Sequence, residues 1–182
     1  MSPVLGIIAS SNQQGRGVAV GSYDALATIT VPSGGLASVI FAGIPTGYQH
    51  LQIRAIAQGG GSGFMTMRAN GDSANNYDAH EIFGNGSSAG SAAFVTRSSL
   101  IIDFVPSTTN FGAFILDILD YTSTSKNKTI RCLCGFDANG SGNLGLVSGL
   151  WRNSSTGISS LELFPQSGVI SQHSQFALYG VK

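Results

Sequence analysis

The residues of this chain that could do chemistry are few and scattered. Its three imidazoles are His50, His80 and His173, and a general base or nucleophile works only with a partner held within hydrogen-bond reach. No G-x-S-x-G elbow or H-E-x-x-H pair accompanies any of them. Asp78, His80 and Glu81 form the most enzyme-like cluster, yet they stand among Asn, Ser and Gly residues that predict a solvated loop. Asp117 and Asp120 could be offered as the paired carboxylates of a glycosidase. Three apart on a strand, they point to opposite faces and cannot flank one bond.

Metal chemistry finds no better footing. The run Asp137-Ala138-Asn139-Gly140-Ser141-Gly142-Asn143 has oxygen ligands at alternating positions and Gly sixth, like half a calcium loop. Position twelve is Ser148 where a bidentate Glu is needed, and a hairpin turn explains the Asn and Gly equally well. Cys132 and Cys134, two apart in a strand-like run, project in parallel from one face. They read as two small buried hydrophobes, with no disulfide between them and no zinc site. The run Gly59-Gly60-Gly61-Ser62-Gly63 lacks the strand-to-helix context of a phosphate loop and reads as a flexible hairpin tip. Trp151 with Tyr23, Tyr48, Tyr77, Tyr121 and Tyr179 could build a sugar-stacking platform, or pack a core or an intersubunit surface. No catalytic residue, metal or cofactor is expected, and the chain reads as a non-enzyme.

The elements that position these residues are strands. From Tyr23 onward, short runs rich in Val, Ile, Thr and Phe alternate with Gly, Ser, Asn and Pro clusters. Strands are expected at 23–31, 36–41, 48–57, 63–70, 94–105, 111–120, 128–137, 143–151, 158–164 and 174–181. So many short strands fit two packed sheets or a barrel. In the run 48–57, Leu51, Ile53, Ala55 and Ala57 share one face and His50, Gln52 and Arg54 the other, the mark of a half-buried strand. The run 111–120 is apolar on both faces, which predicts a central strand covered on both sides. The stretch 71–93 reads as a long loop, and a loop of that length is often functional. Its Asp72, Asn76, Tyr77, Asp78 and His80 are the candidate partner contacts.

Residues 1–21 read as an extended N-terminal arm ahead of a single domain at 22–182, and Val4, Leu5, Ile7, Ile8 and Arg16 are its candidate contacts. No stretch reaches the roughly 18 continuous apolar residues of a membrane-spanning segment. Charged residues make up 10% of the chain, against about 25% in an ordinary soluble domain. Nine Lys and Arg balance nine Asp and Glu, so no field favours nucleic acid or an anionic membrane. A neutral, charge-poor surface associates readily, and assembly is the expected role.

Several strings carry a family resemblance. They are Phe41-Ala42-Gly43-Ile44-Pro45-Thr46-Gly47-Tyr48-Gln49-His50-Leu51-Gln52-Ile53-Arg54, Asn70-Gly71-Asp72-Ser73-Ala74-Asn75-Asn76-Tyr77, Gly84-Asn85-Gly86-Ser87-Ser88 and Phe176-Ala177-Leu178-Tyr179-Gly180-Val181-Lys182. Together they resemble small virion proteins of tailed bacteriophages, from about Tyr23 to the end of the chain. The resemblance implies an all-β, jelly-roll-like β-sandwich of two antiparallel sheets. It also implies a place in the virion, as a homotrimeric capsid cement (decoration) protein bound to the major capsid protein or another virion protein. A tail-fibre or receptor-binding module for glycans is the alternative. The absence of heptads or repeats favours cement over a fibre.

Overall fold

The computed structural model describes residues 22–59, 63–106 and 110–182, and the twelve strands among them lie in two antiparallel sheets. In chain order they are β1 (Tyr23–Thr30), β2 (Val39–Ala42), β3 (His50–Ala57), β4 (Gly63–Ala69), β5 (Tyr77–Gly84), β6 (Ala89–Arg97), β7 (Leu100–Val105), β8 (Gly112–Leu119), β9 (Lys128–Asp137), β10 (Gly142–Trp151), β11 (Ser160–Pro165) and β12 (Gln175–Val181). The large sheet runs β1-β12-β3-β8-β9-β10-β5-β6 and the small one β2-β11-β4-β7. The chain changes sheet at every connection except the β5–β6 hairpin and the β8–β9–β10 meander, the winding of a jelly roll. The fold is therefore the expected β-sandwich. The proposed arm, with Val4, Leu5, Ile7, Ile8 and Arg16, lies outside the described residues.

Alternation along each strand builds the core. Leu51, Ile53, Ala55 and Ala57 of β3, Phe114, Leu116 and Ile118 of β8, and Ile130, Cys132 and Cys134 of β9 are buried from the large sheet. Met65, Met67 and Ala69 of β4, Leu100 and Ile102 of β7, and Leu161 and Leu163 of β11 meet them from the small one. Each fully buried Leu, Ile or Phe contributes about 1.5–3 kcal/mol. Strand β7 packs over β8, β9 and β10, and β10 makes room for it at Gly149, where a Cβ would stand 2.6 Å from Leu100 Cδ1. Cys132 and Cys134 are buried on one face of β9 and are not joined by a disulfide.

Four expectations about elements require correction. Residues 71–93 are not one long loop, for β5 and most of β6 lie there, paired to each other and, through β5, to β10. The run 94–105 is two strands in different sheets, the end of β6 and the whole of β7. Gly59 and Gly63 flank a crossing between sheets, since β3 and β4 are not neighbours, so no hairpin is present. Finally, β8 is central but covered on one side only: Phe114 and Leu116 are buried, while Ile115 is exposed.

The 137–143 run forms the β9–β10 hairpin turn, with Asn139 and Gly140 at φ 53° and 103°. Asp137 Oδ1 accepts the Asn139 N–H at 2.9 Å. In the β5–β6 turn, Asn85 Oδ1 accepts the N–H groups of Ser87 at 3.0 Å and Ser88 at 2.8 Å.

Candidate functional site

The outward face of the large sheet is the least expected feature of the fold. Register places Arg54, Ile115, Leu133, Leu146, Ile82 and Ser91 in one cross-strand row from β3 to β6. Two residues along each strand, Ile56, Ala113, Gly135, Leu144, Gly84 and Ala89 form the next row. Six of these apolar side chains are open to solvent, from 41% for Ile115 to 62% for Leu144. Between the large residues the small ones leave troughs. One of about 520 Å³ lies over Ala113 and Gly135, between Ile56 and Leu144. Another, of about 600 Å³, lies over Gly84 and Ala89, beside Ile82 and Leu146. A single exposed Leu is ordinary, whereas a contiguous apolar patch on adjacent strands marks an interaction surface.

A third row borders this patch and is polar: Gln52, Asp117, Arg131, Ser148 and His80. Gln52 Nε2 donates to Asp117 Oδ1 at 2.8 Å, and Arg54 Nε donates to Gln52 Oε1 at 2.7 Å. The Arg54 guanidinium lies 5.6 Å from the Tyr23 ring centroid and 5.4 Å from that of Tyr179. This clamp fixes an Arg and two aromatic residues at the corner of the patch, the residue types that dominate binding energy at interfaces.

The candidates of 72–80 divide differently. Asp72 is structural: its Oδ2 accepts from Trp151 Nε1 at 2.8 Å and from Asn76 Nδ2 at 3.0 Å, and its Oδ1 from the Ala74 N–H at 2.9 Å. Burial pushes the Asp72 carboxyl up, but these donors outweigh it and hold the group below its ordinary value. Tyr77 is fully buried and donates its hydroxyl to the Asp72 carbonyl at 3.0 Å, so its side chain cannot meet a partner. Burial raises the Tyr77 phenol to about 12. Asp78 accepts the Thr96 N–H at 2.7 Å and pairs with Arg152 at 3.0 Å. Of these five candidates, only His80 is exposed, on the outward face.

The arrangements weighed for catalysis do not converge. His80 and Asp78 point outward, while Glu81 alternates to the other face, where burial raises its carboxyl. Asp117 is held by Gln52. Asp120, in the turn after β8, accepts from Lys126 Nζ, and its N–H donates to His50 Nδ1 at 2.9 Å. The Lys126 hydrogen bond, against a smaller push from burial, keeps Asp120 below its ordinary value. Among the described residues no group of three or more His, Cys, Asp or Glu could hold a metal ion. Trp151, Tyr77 and Tyr121 are buried and offer no stacking floor. A groove of mixed character, lined by Asp78, His80, Val95, Ser148, Leu150 and Arg152, opens beside the patch.

Sequence reasoning missed Ile56, Ile82, Ile115, Leu133, Leu144 and Leu146 as surface residues. Their signal was the apolar character of both faces of the central strands. That character fits cover on both sides equally well, and the chain supplies cover on one. No protein-family model matches this chain, and no match was found among curated proteins or solved structures.

Proposed function

We propose that this chain is a structural protein of a tailed-bacteriophage virion, a cement (decoration) protein on the capsid exterior that bridges subunits of the major capsid protein. The observation that carries an assembly role is the bare apolar face of the large sheet, a surface of the kind that stable assemblies bury. The resemblance described above supplies the phage particle and the homotrimer. The even charge balance lets many copies crowd on a shell without mutual repulsion. Attachment then follows from burial of apolar area, with the arm residues Val4, Leu5, Ile7 and Ile8 reaching across neighbours. The glycan-binding alternative would have to rest on Tyr23, Tyr48 and Tyr179, because the other aromatic candidates are buried.

The test is to incubate shells lacking this chain with the purified protein and sediment them. Saturable binding at a fixed number of copies per shell, with a raised shell disruption temperature, is the expected result. Failure to bind shells, or binding confined to tails, overturns the cement role.

A further inference from the structure

We infer that Asn139 is a site of spontaneous deamidation, converted to a carboxylate in the folded protein ahead of the other Asn-Gly asparagines of the chain. The sequence holds three such pairs, Asn70-Gly71, Asn85-Gly86 and Asn139-Gly140. In each, the glycine nitrogen can attack the asparagine Cγ. A C–N bond forms, the Cγ–Nδ2 bond breaks, the displaced nitrogen leaves as ammonia with the glycine proton, and a succinimide ring closes. Water then opens the ring at either carbonyl and leaves an aspartate or an isoaspartyl link, with nothing oxidised or reduced. Glycine has no Cβ to obstruct the attack. All three pairs share that advantage, so the hold on each side chain sets the order.

Two of the three form a matched pair. Asn70 and Asn139 both have φ 53°, and the glycines that follow are left-handed too, at 68° and 103°. The Asn70 carboxamide is locked by the stretch leading into β11. Its Oδ1 accepts the N–H groups of Ser159 at 2.8 Å and Ser160 at 3.1 Å, and its Nδ2 donates to the Gly157 carbonyl at 2.8 Å. Ring closure there must first break these bonds. Asn85 is half held, through the Oδ1 that accepts from Ser87 and Ser88. Asn139 is exposed, and among the described residues its carboxamide makes no hydrogen bond; only its main-chain N–H is engaged, by Asp137. Attack requires the Asn139–Gly140 peptide to rotate out of a turn closed by the Ala138 N–H on the Ser141 carbonyl at 2.7 Å. A hairpin tip is where such local opening comes most readily.

The product changes this end of the sheet. It adds a negative charge to a chain whose formal net charge is zero. The new carboxylate stands close to that of Asp137, beside a groove of about 350 Å³ between the β5–β6 and β9–β10 turns that Asp137, Gly140, Asn85 and Leu144 help to line. An isoaspartyl link also inserts a carbon into the main chain of a turn that depends on two left-handed residues.

The test incubates the purified full chain at mildly alkaline pH, with and without denaturing urea, and follows acid and isoacid forms of each Asn-Gly pair by peptide mapping and mass spectrometry. In the native protein Asn139 should convert first and outrun Asn70 by about tenfold or more. In urea the three should convert at similar rates, because the folded holds are gone. Native conversion at Asn139 no faster than at Asn70, or the same order kept in urea, overturns the inference. Asn139→Gln lengthens the side chain and disfavours ring closure, so it should remove the early acidic form seen by isoelectric focusing; an acidic form that still appears at the wild-type rate overturns the inference as well.

Discussion

Asp72 shows how one carboxylate ties distant parts of the chain together. It satisfies the indole of Trp151, the amide of Asn76 and the N–H of Ala74, and Tyr77 bonds to its carbonyl. Asp72→Ala leaves Trp151, Asn76 and the Ala74 N–H without their acceptor, while Tyr77 keeps the main-chain carbonyl, and should cost about 1–3 kcal/mol, read from urea unfolding followed by Trp151 fluorescence. The dependence on pH has a fixed sign. A carboxyl whose folded pKa lies below its ordinary 3.8 gives its full stabilisation above that pH and loses it as the pH falls through the lower folded value. The gap between wild type and D72A should therefore be constant from neutrality down to about pH 5, and narrow below 3.8.

At the scale of elements, β6 carries a bulge where its register against β5 shifts between Tyr77 and Ala79. Thr96, within it, has φ 56°, a left-handed conformation that a β-branched residue adopts only under strain. The Asp78 carboxylate holds it there through its N–H. Thr96→Asn keeps that N–H and suits the conformation better, so it should raise stability by about 1 kcal/mol, seen as a higher denaturation midpoint at unchanged slope. Strand β6 also shows where sequence reading stops. Its Ala89-Gly90-Ser91-Ala92-Ala93 half lacks the Val, Ile and aromatic residues that announce a strand, and it exists because β5 offers it an edge. By contrast, β3 was legible from strict alternation, and the 137–143 hairpin from Asn139-Gly140. The burial of Tyr77 is not legible in the sequence, because it depends on β4 and β10 closing around it, which no local pattern records. The outward patch was half legible: apolar residues on both faces of β8 could be seen, but not which face the chain itself would cover.

For the whole molecule, the described core runs from Val31 to Leu178 and draws on both sheets. On the proposed cement role, deleting residues 1–21 should weaken attachment to shells, since Val4, Leu5, Ile7 and Ile8 are gone; undiminished shell affinity would refute the arm's role. The sandwich also holds an internal timer. Cys132 and Cys134 face the seam between the sheets on central β9, beneath β7. An alkylating reagent can reach these sulfurs only after the layers part, so the pace of their modification counts openings of the protein and would slow wherever assembly holds the layers shut.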